Sequence, residues 1–519
     1  MTEERDPSSD VVRRDRFSGG PAREFLSSMD ADTRIFAADI AVDRAHVVML
    51  AEQDVIEDDI AGEMLAALGD IEAAGHDALP EGEDVHAAIE TAVIERVGRD
   101  GGKMHTARSR NDEVATCIRY QLREDLLDAV EATVALREQL LETASQHTET
   151  IMPGYTHLQP AQPTTVAHWL CSYEQAIARD TERLLDAYER VNRSPLGAAA
   201  FAGTTFDIDR ERTAALLGFG GVPASGASEG PVAHRSTGVV ENSMDASSAR
   251  DFLLESVTAL ATHTTTLSGL AEDVIVFANR GFVELSDDYA STSSIMPQKK
   301  NPDTLELVRA TAGEAAAGVN GLLTTLKGLP RAYNRDLQSA TPYAWETVDA
   351  VLDATDVVGG AVATAEWPED VLADAAGEGF STATGVADLL AAHGLPFRTA
   401  HEVVAVAAEE IETRDTDQSD EDGRQEGKTD LDAVDAAARE VLDDPVSEYV
   451  DPEAVEAALD PVESVASRDS MGGPAATAVA AYLDEADGRV DADQETLADR
   501  RENLETARDQ LDTAVSDYV

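Results

Sequence analysis

Lysine is almost missing from this chain: Lys103, Lys299, Lys300, Lys327 and Lys428 stand against 35 arginines. Cysteine is scarcer still. Cys117 and Cys171 both fall in helix-like segments, which excludes a disulfide framework and gives no zinc-ligand spacing. No stretch approaches the roughly 18 consecutive apolar residues of a membrane-spanning helix. The first ten residues, MTEERDPSSD, are polar and acidic and lack the pattern of a secretory signal. A soluble, cytoplasmic protein with no membrane partner is therefore expected. A basic face is missing as well, which argues against nucleic acid as a partner. Strand-like alternation is scarce, and no repeat of solenoid period is found.

Acid is what the chain has in excess. With 101 acidic and 40 basic side chains its formal charge is −61. Self-repulsion on that scale opposes a compact state in dilute buffer, and halophiles are a setting in which it is used. At molar salt the Debye length falls to about 3 Å, so surface carboxylates hardly sense one another. Apolar residues make up 43% of the chain and recur periodically, unlike those of a disordered acidic polymer. The composition is that of a folded protein adapted to a salt-filled cytoplasm.

The periodicity is helical. In 113–149, Leu122, Leu126, Val130, Val134 and Leu141 form one stripe. Long helices are also expected over 164–191, 240–280 and 303–326, the last rich in Ala and Gly. Such helices make a bundle. Their apolar surface exceeds what one chain buries, so a homo-oligomer is expected. Residues 218–238 (Gly/Pro/Ser-rich) and 413–430 (acidic) read as inserts, and the last 29 residues as a solvated helix.

Three polar stretches concentrate the chemistry. In SSIMPQKKNPD (293–303) two of the five lysines stand together before a helix start, with Asn301 suited to cap and Pro302 to open the helix. Ammonium groups, hydroxyls and a positive helix end suit a carboxylate, although a capped helix with two solvated lysines satisfies the same residues. GKMHTARSRND (102–112) gathers a lysine, two arginines, Ser109 and Asn111. Its arginine forks suit carboxylates, or else pair with surface acids while Asn111 or Asp112 caps the next helix. In PGYTHLQPAQP (153–163), three prolines and a glycine predict a rigid turn between helices that carries Thr156 and His157, the latter a proton-transfer group or a structural histidine. EDVH (83–86) and PRAYNRDLQ (330–338) add polar loop residues.

Taken together, TSSIMPQKKNPD, HTARSRND, GYTHLQPAQP and YNRDLQ resemble the argininosuccinate lyase family of the fumarase/aspartase superfamily. RFSGG (16–20), SPLGAAAFAGTTFDIDR (194–210), NSMDASSARDF (242–252) and GLPFRTAHE (394–402) extend the similarity over most of 15–480. The resemblance implies a mainly α fold of three domains: 1–109, a long-helix bundle over 110–370, and 371–519. It implies a homotetramer with each active site shared between subunits. The implied reaction is reversible cleavage of argininosuccinate to arginine and fumarate, without metal or organic cofactor. By similarity, Ser293 on a mobile loop takes the Cβ proton, Lys299 and Asn301 stabilise an aci-carboxylate, and His157 handles or positions the proton for the departing guanidinium; the family pattern leaves acid and base open between Ser293 and His157. Ser28, Asn111, Thr156, Tyr333 and Gln338 match substrate contacts, and Ser109 and Arg110 match groups that bind the fumarate carboxylates. Departures from the pattern stand at Thr292 (for Gly), Thr341 (for a substrate-contacting Lys) and Leu26 (for Asn). Adenylosuccinate lyase, another fumarate-releasing lyase, and a non-enzymatic crystallin-like member of the family are the alternatives.

Overall fold

A computed structural model describes residues 21–220, 238–417 and 429–519. The two inserts fall largely outside the described residues, as does RFSGG. Helices α1 (Phe36–Glu52), α2 (Asp58–Ala74) and α3 (Val85–Val97) form an N-terminal group. Then comes α4 (Arg110–Gln146), 37 residues long. The hairpin β1 (Ile151–Thr156) and β2 (Gln159–Thr165) leads to α5 (Val166–Val191), and α6 (Asp251–Arg280) follows. A short ribbon, β3 (Ser291–Thr292) with β4 (Lys300–Asn301), precedes α7 (Asp303–Leu326) and α8 (Thr341–Ala363). Helices α9 (Ala383–Ala392), α10 (Phe397–Asp417), α11 (Asp430–Leu442) and α12 (Pro452–Leu459) pack around a core of their own that includes Val386, Val403 and Val434. The last helix, α13 (Ala476–Ser516), runs for 41 residues. Among the described residues no helix is long and apolar enough to cross a membrane.

Helices α4 to α8 make the bundle. The expected stripe on α4, from Leu122 to Leu141, is buried throughout. Gly318 and Gly321 on α7 let α8 come close: an added Cβ would stand 2.7 Å from the Thr347 hydroxyl and 2.5 Å from the Tyr343 ring. Leu307 and Leu323 of α7 remain exposed in the single chain.

Three local expectations are corrected. The turn at 153–163 is a β-hairpin, in which the facing Pro153 and Pro163 need no ladder donor and a bulge falls between Pro153 and Tyr155. The helix expected over 240–280 is broken: Ser243–Ser248, capped by Asn242, ends at Ala249, and α6 starts only after Arg250 turns the chain into the core. The C-terminal helix is not solvated all round. Val490, Leu497, Leu504 and Leu511, seven apart, are buried on one face of α13. Beside that seam Arg501 reaches Asp128 and Glu131 of α4 at 2.7 Å each, and Arg508 reaches Glu124 at 2.6 Å.

Candidate active site

Ser28, Arg110, Asn111, Tyr333 and Gln338, drawn from three distant parts of the sequence, line one cleft of about 490 Å³. Backbone contacts hold them there. The amide of Ser28 donates to the Glu83 carbonyl at 2.9 Å, and its hydroxyl donates to Asp32 at 2.7 Å. Gln338 donates to the Leu26 carbonyl at 3.3 Å. Arg335 donates to the same carbonyl at 2.6 Å and to Glu83 at 2.8 Å. Leu26, where the family pattern has Asn, thus contributes a main-chain oxygen.

Arg110 opens α4 and reaches toward Asp84 (3.4 Å) and Glu90 (3.5 Å). The cap of α4 is Ser109, not Asn111 or Asp112. Its hydroxyl accepts from the Asn111 amide (3.3 Å), and the Asp112 carboxylate accepts from the Ser109 amide (2.8 Å) in a reciprocal capping box. That leaves Asn111 facing the cleft, while Ser109 does not line it. Thr341 lines it too, without charge.

Beneath the cleft lies a charged network that sequence reasoning missed. His86, a lining residue, places Nδ1 2.8 Å from Asp39. Arg108 meets Asp43 at 2.6 Å and Glu113 at 3.2 Å, and all of these side chains are buried. Burial pulls the His86 imidazolium down, but the Asp39 charge and hydrogen bond, with Glu113 behind them, raise its pKa to about 10. Burial pushes the Asp43 carboxyl up to about 7 and that of Glu113 up to about 8. Three carboxylates facing two cations keep a proton among them at neutral pH. A signal existed: Asp39 and Asp43, four apart in α1, sit in an otherwise apolar segment, FAADIAVDRAHVVML.

Thr156 and His157 stand elsewhere, at the exposed tip of the β1–β2 hairpin. Thr156 pairs with Gln159, so His157 and Leu158 form a two-residue turn with φ of 55° and 58°. Such turns normally take Asn-Gly, and two non-glycine residues held there store strain of the kind found at functional sites.

The SSIMPQKKNPD stretch (293–303), the signature loop of the family resemblance, is the third group. The Ser293 hydroxyl accepts from the amides of Met296 (3.1 Å) and Ile295 (3.4 Å), an arrangement that favours negative charge on the oxygen. Lys300 is engaged, at 2.8 Å from Asp287 and 3.6 Å from Glu284. Lys299 is exposed and has no ion pair among the described residues. Asn301 does not cap α7. It belongs to β4, and the helix opens after Pro302 without a side-chain cap, its Asp303 instead accepting from the Ser291 hydroxyl. Within one chain, none of Thr156, His157, Ser293, Lys299 and Asn301 lines the cleft that holds Ser28 and Asn111.

Residues 24–316 match the lyase family model, and residues 380–466 match the model described as argininosuccinate lyase C-terminal. The chain is 63% identical to an argininosuccinate lyase of Haloarcula marismortui, over 99% of this chain and 97% of that one. It is 66% identical to one of Natronomonas pharaonis, over 100% and 99%. Among solved structures, an EDDS lyase in complex with formate superposes with a TM-score of 0.80 at 31% identity, covering 96% of each chain. A class II fumarase of Schistosoma mansoni shares the fold at a TM-score of 0.68 and 15% identity, covering 87% of this chain and 96% of that one. With matches of this extent, the chain belongs to the argininosuccinate lyase family of the fumarase/aspartase superfamily.

Proposed function

We propose that this chain catalyses the reversible elimination of argininosuccinate to L-arginine and fumarate in the cytoplasm, as a homotetramer. The observation that carries the reading is the convergence of Ser28, Arg110, Asn111, Tyr333 and Gln338 on one cleft whose wall holds both guanidinium and carboxylate groups. Argininosuccinate is a polyvalent zwitterion and needs both.

Elimination starts when a base takes the proton from the carbon next to a carboxylate. The electron pair moves into that carboxylate as an aci-carboxylate, then returns to form the fumarate double bond as the C–N bond breaks. The departing guanidine takes up a proton. Ser293 is the base in this scheme: two amide donors stabilise its oxygen, and Lys299, with no ion pair among the described residues, stands next to the loop's turn. Positive charge placed where the dianion develops lowers the barrier most. Lys299, Asn301 and the start of α7 supply it. His157, or a residue it positions, protonates the guanidine. Thr156 and Ser109 hold substrate or its neighbours in place.

The scheme requires assembly. The hairpin tip and the 293–303 loop lie apart from the cleft in one chain, and the proposed packing of four chains through their bundles would bring them together. Fumarate formation from argininosuccinate in molar KCl, followed by ultraviolet absorbance, tests the reading. Turnover of adenylosuccinate in its place would overturn it.

A further inference from the structure

Arg250 has no role in the scheme above, yet unlike Arg119 and Arg123, which are also buried without an ion pair among the described residues, it lines the cleft. Its side chain lines the cleft while the residue is only 2% exposed. Its Nε has no hydrogen-bond partner, and one guanidinium N–H group donates only to the adjacent Ala249 carbonyl at 2.9 Å. No carboxylate among the described residues lies within 4.0 Å of it, whereas Arg110 has Asp84 and Glu90, and Arg335 has Glu83. A buried charge without a partner is strongly unfavourable and persists where something compensates it. Burial lowers the Arg250 pKa only to about 10, so it remains cationic at neutral pH. It also stands at the N-terminus of the 30-residue helix α6, whose dipole adds positive potential at the same place.

We propose that Arg250 binds the α-carboxylate of the arginine half of the substrate. The inference rests on the argininosuccinate reading and adds a contact to it. An α-amino-acid head carries a carboxylate and an ammonium. The cleft offers Arg250 for the first and Asp32, already bonded to Ser28, for the second. Arg110 and Arg335 are bound to their own acids, His86 is paired with Asp39 and Thr341 is neutral, which leaves Arg250, among the described residues, as the cation of this wall without an ion pair. A guanidinium grips a carboxylate through two parallel hydrogen bonds, and one with no internal acid gives up no ion pair to do so.

The test is calorimetric titration of the full-length protein in molar KCl with L-arginine and with agmatine, which is arginine without its carboxylate. The wild type is expected to bind arginine the more tightly. Arg250→Gln is expected to weaken arginine about tenfold to a hundredfold while moving agmatine by no more than about twofold. Equal loss for both ligands, or loss for neither, would overturn the proposal, as would a wild type that does not distinguish them. If Arg250→Gln does not fold, Arg250→Lys decides: a larger loss for arginine than for agmatine supports the contact, and equal losses refute it. A wild type that titrates as expected but releases no fumarate from argininosuccinate would instead fault the functional reading.

Discussion

His86 Nδ1 and the Asp39 carboxylate lie 2.8 Å apart with both side chains buried beneath the cleft. The His86 pKa stands at about 10 in the folded chain, above its ordinary 6.5. The ion pair's stabilisation is therefore complete below pH 6.5 and is lost as pH rises through about 10. Replacing His86 by Gln strands Asp39 and is expected to cost about 3–5 kcal/mol near pH 6. Thermal unfolding of both proteins in molar KCl should show the gap narrowing between pH 7 and pH 10. A gap independent of pH would contradict the pair.

The two adjacent lysines are expected to behave differently. Lys300 is tied to Asp287 and Glu284 at an exposed site, where such pairs are worth little. Lys300→Ala should leave kcat within about threefold of the wild type, while Lys299→Ala should lower it by about a hundredfold or more, the scale of a lost oxyanion-type contact. Steady-state fumarate release separates them, and equal effects would refute the division.

Salt dependence follows from the charge of −61. As KCl is removed the Debye length grows from about 3 Å toward 30 Å, and repulsion within the chain, and between the protomers of the proposed tetramer, rises. Light scattering and circular dichroism should register dissociation or unfolding on dialysis into dilute buffer. An assembly indifferent to salt would contradict the halophilic reading.

Packing of the last helix can be tested at Leu504, which is 4% exposed on α13. Leu504→Ala should destabilise the fold by about 2–4 kcal/mol, as removal of a core leucine does. A solvated helix would lose almost nothing. Chemical denaturation in constant KCl distinguishes the two.

Long helices were legible wherever apolar residues recur at helical spacing, as from Leu122 to Leu141. Residues whose environment is set by distant chain were not. A proline-rich hairpin lacks ladder donors and so resembles a turn, although Thr156 and Gln159 do pair. Arg250 interrupts a helical pattern where its buried side chain lines the cleft, and no local periodicity encodes that. The heptad seam of α13 was hidden by the charged residues on its other faces. At the site, the family motifs located Ser28, Asn111, Tyr333 and Gln338, which do share a cleft. Asp39, Asp43, His86, Arg108 and Glu113 went unassigned: the acids set in the apolar segment of α1 signal burial, but their cationic partners come from other parts of the chain.

The Ser293 oxygen, with its two amide donors, is the centre of the proposed chemistry. Single-turnover assay of Ser293→Ala with argininosuccinate in molar KCl, beside calorimetric binding of the same substrate, tests it most directly. The variant is expected to bind substrate within a few-fold of the wild type and to release fumarate at least about a thousandfold more slowly, as loss of an essential base requires. Turnover within about tenfold of the wild type would show that another group removes the proton.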